Sequence, residues 1–88
     1  MNNDLMHNPI DYTVEPDWKP LEDLVGPAAA QFMWMGMAED HIRLYKHIDN
    51  RRYINIDDLG HFWKFDGTGY VQIQRDQALQ AVEIWEVR

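Results

Sequence analysis

Between Gln31 and Ile73 five short apolar runs alternate with turn-forming segments. The runs are Phe32-Met33-Trp34-Met35, Ile42-Arg43-Leu44-Tyr45, Tyr53-Ile54-Asn55-Ile56, His61-Phe62-Trp63-Lys64-Phe65 and Tyr70-Val71-Gln72-Ile73. The breaks carry Glu39-Asp40, Asp49-Asn50, Asp58-Leu59-Gly60 and Asp66-Gly67-Thr68-Gly69. Runs of this length, rich in aromatic and branched residues and bounded by Asp, Asn and Gly, predict β-strands joined by tight turns. The connections are too short for parallel crossovers, so sequential strands must pair antiparallel as a meander. The strands are predicted at about 31–38, 41–48, 52–57, 61–65 and 70–74.

The flanks have a different period. Ala78, Ala81, Val82 and Trp85, with Leu79 beside them, form an apolar stripe at helical spacing, and Asp76 in the first turn complements the helix dipole. That predicts a C-terminal helix over 75–85. Lys19 to Val25 is predicted to be a short helix, with Asp17 as N-cap, Pro20 in the first turn and Gly26-Pro27 as the stop. Residues 1–17 hold Pro9 and Pro16 and show no helical period. The expected fold class is therefore α+β. It is a twisted antiparallel β-meander of four or five strands, with a C-terminal α-helix packed on one face and a short N-terminal helix. The expected organisation is an irregular acidic N-terminal arm over residues 1–17 and a single domain over 18–88.

With 88 residues the chain supports only a thin core, and it has no cysteine to reinforce it by disulfides or thiolate–metal bonds. Four Trp, four Tyr and three Phe can fill such a core efficiently, and they also suit interfaces. The net charge of −7 sits in residues 1–40, where eight acids face one base, Lys19, while residues 41–88 balance. That acidic arm repels nucleic-acid phosphates and attracts basic partners. Met1-Asn2-Asn3-Asp4 is polar and acidic, unlike a secretory signal, and no apolar run reaches membrane-spanning length. The expectation is a cytoplasmic protein without membrane or nucleic-acid contact.

Strand alternation sorts the side chains. Ile42, Leu44, Ile54, Ile56, Trp63, Phe65, Val71 and Ile73 are expected to face the core together. Arg43, Tyr45, His47, Tyr53, Asn55, Phe62, Lys64, Tyr70 and Gln72 are expected on the outer face, with Tyr45, Tyr53, Phe62 and Tyr70 as an aromatic stripe. The first run is apolar on both sides, so either the N-terminal segment or a second subunit should cover its back.

Candidate chemistry is sparse. The chain has no serine and no cysteine, which removes Ser–His and Cys–His nucleophiles. His41 and His47 are six apart on one strand, so they stand ~20 Å apart and cannot share a metal. No zinc or calcium ligand order is present, and no cofactor motif, so neither metal nor cofactor is expected. The densest polar cluster is Asp49-Asn50-Arg51-Arg52-Tyr53 with His47 before it. Paired Arg side chains suit phosphate or carboxylate, so His47, Arg51, Arg52 and Tyr53 are the candidate anion site.

The functional expectation is a non-enzymatic interaction module that forms a homo-oligomer through its first strand or outer aromatic face. The interface candidates are Phe32, Met33, Trp34, Met35, Tyr45, Phe62 and Tyr70. One alternative is an acidic inhibitor or nucleic-acid mimic that binds a basic protein through residues 1–40. Another is a binder of small anionic ligands using Tyr45, His47, Arg51, Arg52, Tyr53 and Trp63.

Overall fold

The structure, a computed structural model, describes residues 10–84. Its elements follow the chain in the expected order. Helix α1 (Lys19–Val25) and a 3₁₀ turn (Gly26–Gln31) precede five strands. These are β1 (Phe32–Ala38), β2 (Ile42–His47), β3 (Tyr53–Asp57), β4 (Phe62–Phe65) and β5 (Tyr70–Ile73), followed by helix α2 (Arg75–Ala81). The strands form one antiparallel sheet in the order β1-β2-β3-β4-β5. This is the α+β meander that the short turns required.

The turns are built by the Asp and Gly residues at the breaks. Asp66 accepts hydrogen bonds from the Thr68 and Gly69 amides at 2.9 and 3.0 Å, and Gly67 takes the left-handed φ of 103° that lets the β4–β5 loop close. The β1–β2 turn does without glycine, since both Glu39 and Asp40 have positive φ. That is the primed geometry which matches the twist of a hairpin.

The register redistributes the side chains. Tyr45 pairs with Ile54 and Arg43 with Ile56, so Tyr45 shares a face with Ile54 and Ile56. Ile42 pairs with Asp57 and Leu44 with Asn55, which puts Ile42 and Leu44 on the opposite face. The expected grouping of all the aliphatic residues on one face is therefore wrong. Alternation orders residues within a strand, but only cross-strand register says which sets face together.

Each face has its own small core. On the first face Tyr45, Ile54, Ile56, Phe32, Leu21, Ala29 and Val82 are buried together, roofed by α1, the 3₁₀ turn and the end of α2. On the second face Ala38, Ile42 and Leu44 cluster with Ile10, Met35, Trp63 and Tyr70. Phe65 and Val71, expected inside, are 54% and 42% exposed. Tyr45, expected outside, is fully buried, its hydroxyl donating to the Asp17 carbonyl at 2.6 Å.

Strand β1 carries a bulge. Its register runs from Trp34 opposite Tyr45 to Met37 opposite Arg43, so Met35 and Gly36 together face one residue of β2. Gly36 adopts φ 99° there. Beside it, Asp11 forms an isolated antiparallel bridge with Met37, with bonds of 2.9 and 3.0 Å. The described part of the N-terminal arm thus lies along the outer edge of β1, with Ile10 in the second core.

Helix α2 starts with a capping box between Gln74 and Gln77. It ends four residues earlier than the predicted 85, at Ala81. Glu83 turns left-handed at φ 62°, its amide donates to the Gln80 carbonyl, and the Ile84 amide reaches back to the Leu79 carbonyl at 3.0 Å. This is a Schellman ending with an acid where glycine is usual, which is why no glycine announced it. Trp85 lies outside the described residues. Relief of the left-handed strain is worth about 1 kcal/mol, so Glu83→Gly should raise stability by that amount in urea unfolding despite the loss of its pair with Arg52 (3.6 Å). An unchanged or lower midpoint would contradict this reading of the helix end.

Candidate functional site

Strands β3 and β4 pair through only two positions, Asn55 with Trp63 and Ile56 with Phe62. Beyond Asn55, β3 begins with Tyr53 and Ile54, while β4 continues into Lys64 and Phe65 without pairing back to them. A cleft of about 770 Å³ opens there. Tyr53, Asn55, Trp63, Phe65 and Tyr70 line it from the second sheet face, and Ala78 and Ala81 of α2 close it from behind the strands. Its size falls in the range of small-ligand sites, and its walls are mainly aromatic and apolar.

Two polar features in the cleft stand out. Asn55 is only 4% exposed. Its Nδ2 donates to the Trp63 carbonyl at 3.0 Å, which leaves Oδ1 as the free end of the amide. That oxygen is buried and has no hydrogen-bond partner among the described residues. Leaving such an acceptor unmet costs about 1–3 kcal/mol. The second feature is Lys64, which is exposed, lines the cleft and makes no ion pair or hydrogen bond among the described residues. The nearby Arg52 leans instead toward Glu83, and Lys46 sits 5.6 Å above the Tyr53 ring.

Trp63 is positioned by Asp57. The Asp57 carboxylate is 5% exposed and accepts from the Leu59 and His61 amides at 2.9 and 2.8 Å and from the Trp63 indole N–H at 2.9 Å. Burial alone would raise its pKa. The indole and the two amides, helped by the His61 ring, outweigh that and hold the carboxyl below its ordinary value. One side chain thus closes the β3–β4 turn and fixes one wall of the cleft.

A second concavity, of about 520 Å³, lies over α1 and the β3–β4 turn. Arg43 crosses it, with Nε 2.9 Å from Asp17 and Nη1 against Asp58. Its partial burial works against the cation, but the two carboxylates prevail and raise its pKa. Tyr45 beneath is raised as well, by burial first and then by the Asp17 charge. These groups hold the start of α1 onto the sheet and are consumed in doing so.

The predicted sites fare unevenly. His47 and Tyr53 lie on opposite faces, because Tyr53 pairs with Lys46 and His47 is the next residue. The His47 ring is buried, and its Nδ1 accepts from the Asp49 and Asn50 amides at 3.1 and 3.4 Å, so it organises the β2–β3 loop. Arg51 and Arg52 are exposed on that loop, and Arg51 has a left-handed φ of 65°. The four do not converge on one point, and of them only Arg52 and Tyr53 line the cleft.

Among the interface candidates, Phe32 and Tyr45 are buried in the first core and offer no surface, which corrects their assignment. Their register positions opposite His47 and Ile54 turn them under α1 and the 3₁₀ turn. Met33, Trp34, Met35, Phe62 and Tyr70 are half-buried. Asn55, Lys64 and Phe65 emerge as cleft residues that alternation had not singled out as a site. Among the described residues no group of three His, Asp or Glu could hold a metal ion, and no helix is long and apolar enough to cross a membrane. Compared with protein-family models, with curated proteins and with solved structures, the chain finds no match in any of the three.

Proposed function

We propose that this chain is a non-enzymatic binding module whose contact surface is the second sheet face around the β3–β4 cleft. The observation that carries the reading is an aromatic-walled cleft of about 770 Å³ with a buried, unmet acceptor, Asn55 Oδ1. Exposed aromatic surface gives large contact area at small entropic cost, and Tyr53 and Phe65 supply it here, at 38% and 54% exposure. Titration of the ¹⁵N-labelled chain with naphthalene tests it. Amide shifts should saturate and concentrate on Tyr53, Asn55, Trp63, Phe65 and Tyr70. Shifts spread over the molecule, or centred on α1, would sink the proposal.

Self-association through the same face is a second reading, favoured by the exposed Phe65 and Tyr53 rings. In this reading a second copy covers the cleft. Light scattering then gives twice the mass of 10.5 kDa, and Phe65→Glu returns the chain to that mass. A monomer across a hundredfold concentration range would dismiss it.

A further inference from the structure

We propose that the cleft takes a small planar heteroaromatic acid whose ring N–H donates to Asn55 Oδ1 and whose carboxylate meets Lys64. The proposal deepens the reading of this face as a contact surface and rests on it. Three observations converge. The walls offered by Tyr53, Trp63, Phe65 and Tyr70 are π-faces and edges, which favour a flat ring over a branched aliphatic chain. The acceptor is singular: Nδ2 of Asn55 is fixed by the Trp63 carbonyl, so the amide cannot flip to present a donor, and Oδ1 calls for an N–H or O–H.

The charge is placed. By the Asn55–Trp63 pairing Lys64 falls opposite Ile54, on the α2 side of the sheet and toward the Tyr53 end of β3, where Arg52 also lines the cleft, so it meets the carboxylate through the gap where β3 and β4 stop pairing. Glu39 stands at the β1–β2 turn, at the other end of β2. An acid is therefore drawn to the Lys64 end and turned away from the Glu39 end. A buried amide oxygen is reached only if the strands yield slightly, and a β3–β4 ladder of two residue pairs is the weakest seam of the sheet.

The same features disfavour other ligand classes. A phosphate alone would ignore the aromatic walls. An aliphatic acid would leave Asn55 Oδ1 unmet, and a site built around a hydrogen-bond acceptor discriminates against analogues that lack the donor.

The test compares indole-3-acetate, indole-3-acetamide and naphthalene-1-acetate by NMR titration of the full chain. Indole-3-acetate should bind tightest, with saturating shifts at Asn55, Trp63, Lys64 and Tyr70. Naphthalene-1-acetate, which keeps the ring and the acid but lacks the N–H, should bind about tenfold more weakly. Indole-3-acetamide should lose a few-fold, and Lys64→Gln, a change at an exposed side chain, should erase that difference between acid and amide. Asn55→Ala should make indole and naphthalene equivalent. Should that variant not fold, the two ligands on the unaltered chain decide the point by themselves. Equal affinity for all three probes would overturn the assigned chemistry while leaving the cleft as a contact surface. Cleft amides unmoved by any of the three would overturn both.

Discussion

Replacing Gly36 with alanine is expected to lower stability by about 3 kcal/mol. Two costs combine at this position. The backbone sits at φ 99°, where a Cβ is strained whatever space surrounds it. The space is also taken, because an ideal Cβ would lie 2.8 Å from the Asp11 carbonyl oxygen and 2.8 Å from Ile10 Cγ2. The Ile10 side chain can shift, but the Asp11 oxygen belongs to the backbone held in the bridge to Met37. Relief therefore demands that the N-terminal segment leave the edge of β1. For a domain of this size the change should depress the melting temperature by roughly 10 °C or more. Hydrogen exchange at Asp11 and Met37 should accelerate beyond the global change, since those amides form the bridge. A melting temperature within 2–3 °C of the parent, which is roughly the effect of a half-kilocalorie change, would show that the bulge geometry is wrong.

Asp57→Asn is expected to cost about 2 kcal/mol and to change the acid limb of the stability curve. Asparagine can still accept at one oxygen, but its amide nitrogen then confronts the Trp63 indole N–H, donor against donor. The pH argument follows from the direction of the shift. The folded carboxyl titrates below its unfolded value of about 3.9, so its contribution is fully present above that value and disappears as pH falls through the folded pKa. Urea midpoints measured between pH 7 and pH 2.5 should fall less steeply on acidification in the variant than in the parent. Parallel curves would show that Asp57 carries no such linkage. Because Asp57 also holds Trp63, indole-3-acetate should bind more weakly to the folded variant.

The strand plan was legible in the sequence because it depends on local chemistry. Each turn carries its own Asp, Asn, Gly or acidic pair, and each strand is bounded within one or two residues by them. α1 was equally plain from Pro20 and Gly26-Pro27. What the sequence did not carry was the relation between strands. Tyr45 is outward by the alternation of β2 read alone, and inward once it stands opposite Ile54 beneath Leu21 and Trp18. The bulge at Gly36 exchanges the faces of β1 midway, and a single glycine in an apolar run was its one visible trace.

The cleft was the least legible feature, since it arises where two strands stop pairing, and no period reports that. Asn55 was assigned to the outer face, and its register opposite Trp63 is what makes it matter. Asp57 is the last residue of the third predicted strand, and its alternation there says nothing of a role in the site. Its second oxygen, on the Trp63 indole, depends on a cross-strand approach six residues away.

Because the spatial sequence of strands repeats their order along the chain, no strand has to wait for a distant partner. β1 and β2 can zip together as soon as the ribosome has released them, and each later hairpin adds to a template already in place. The interval in which an unsatisfied sheet edge is offered to neighbouring chains is correspondingly brief. Helix α2, which emerges after the strands, then seals the first core with Val82 and anchors to Asn50 of the β2–β3 loop, so a chain cut short before it would keep its strands and lose its lid.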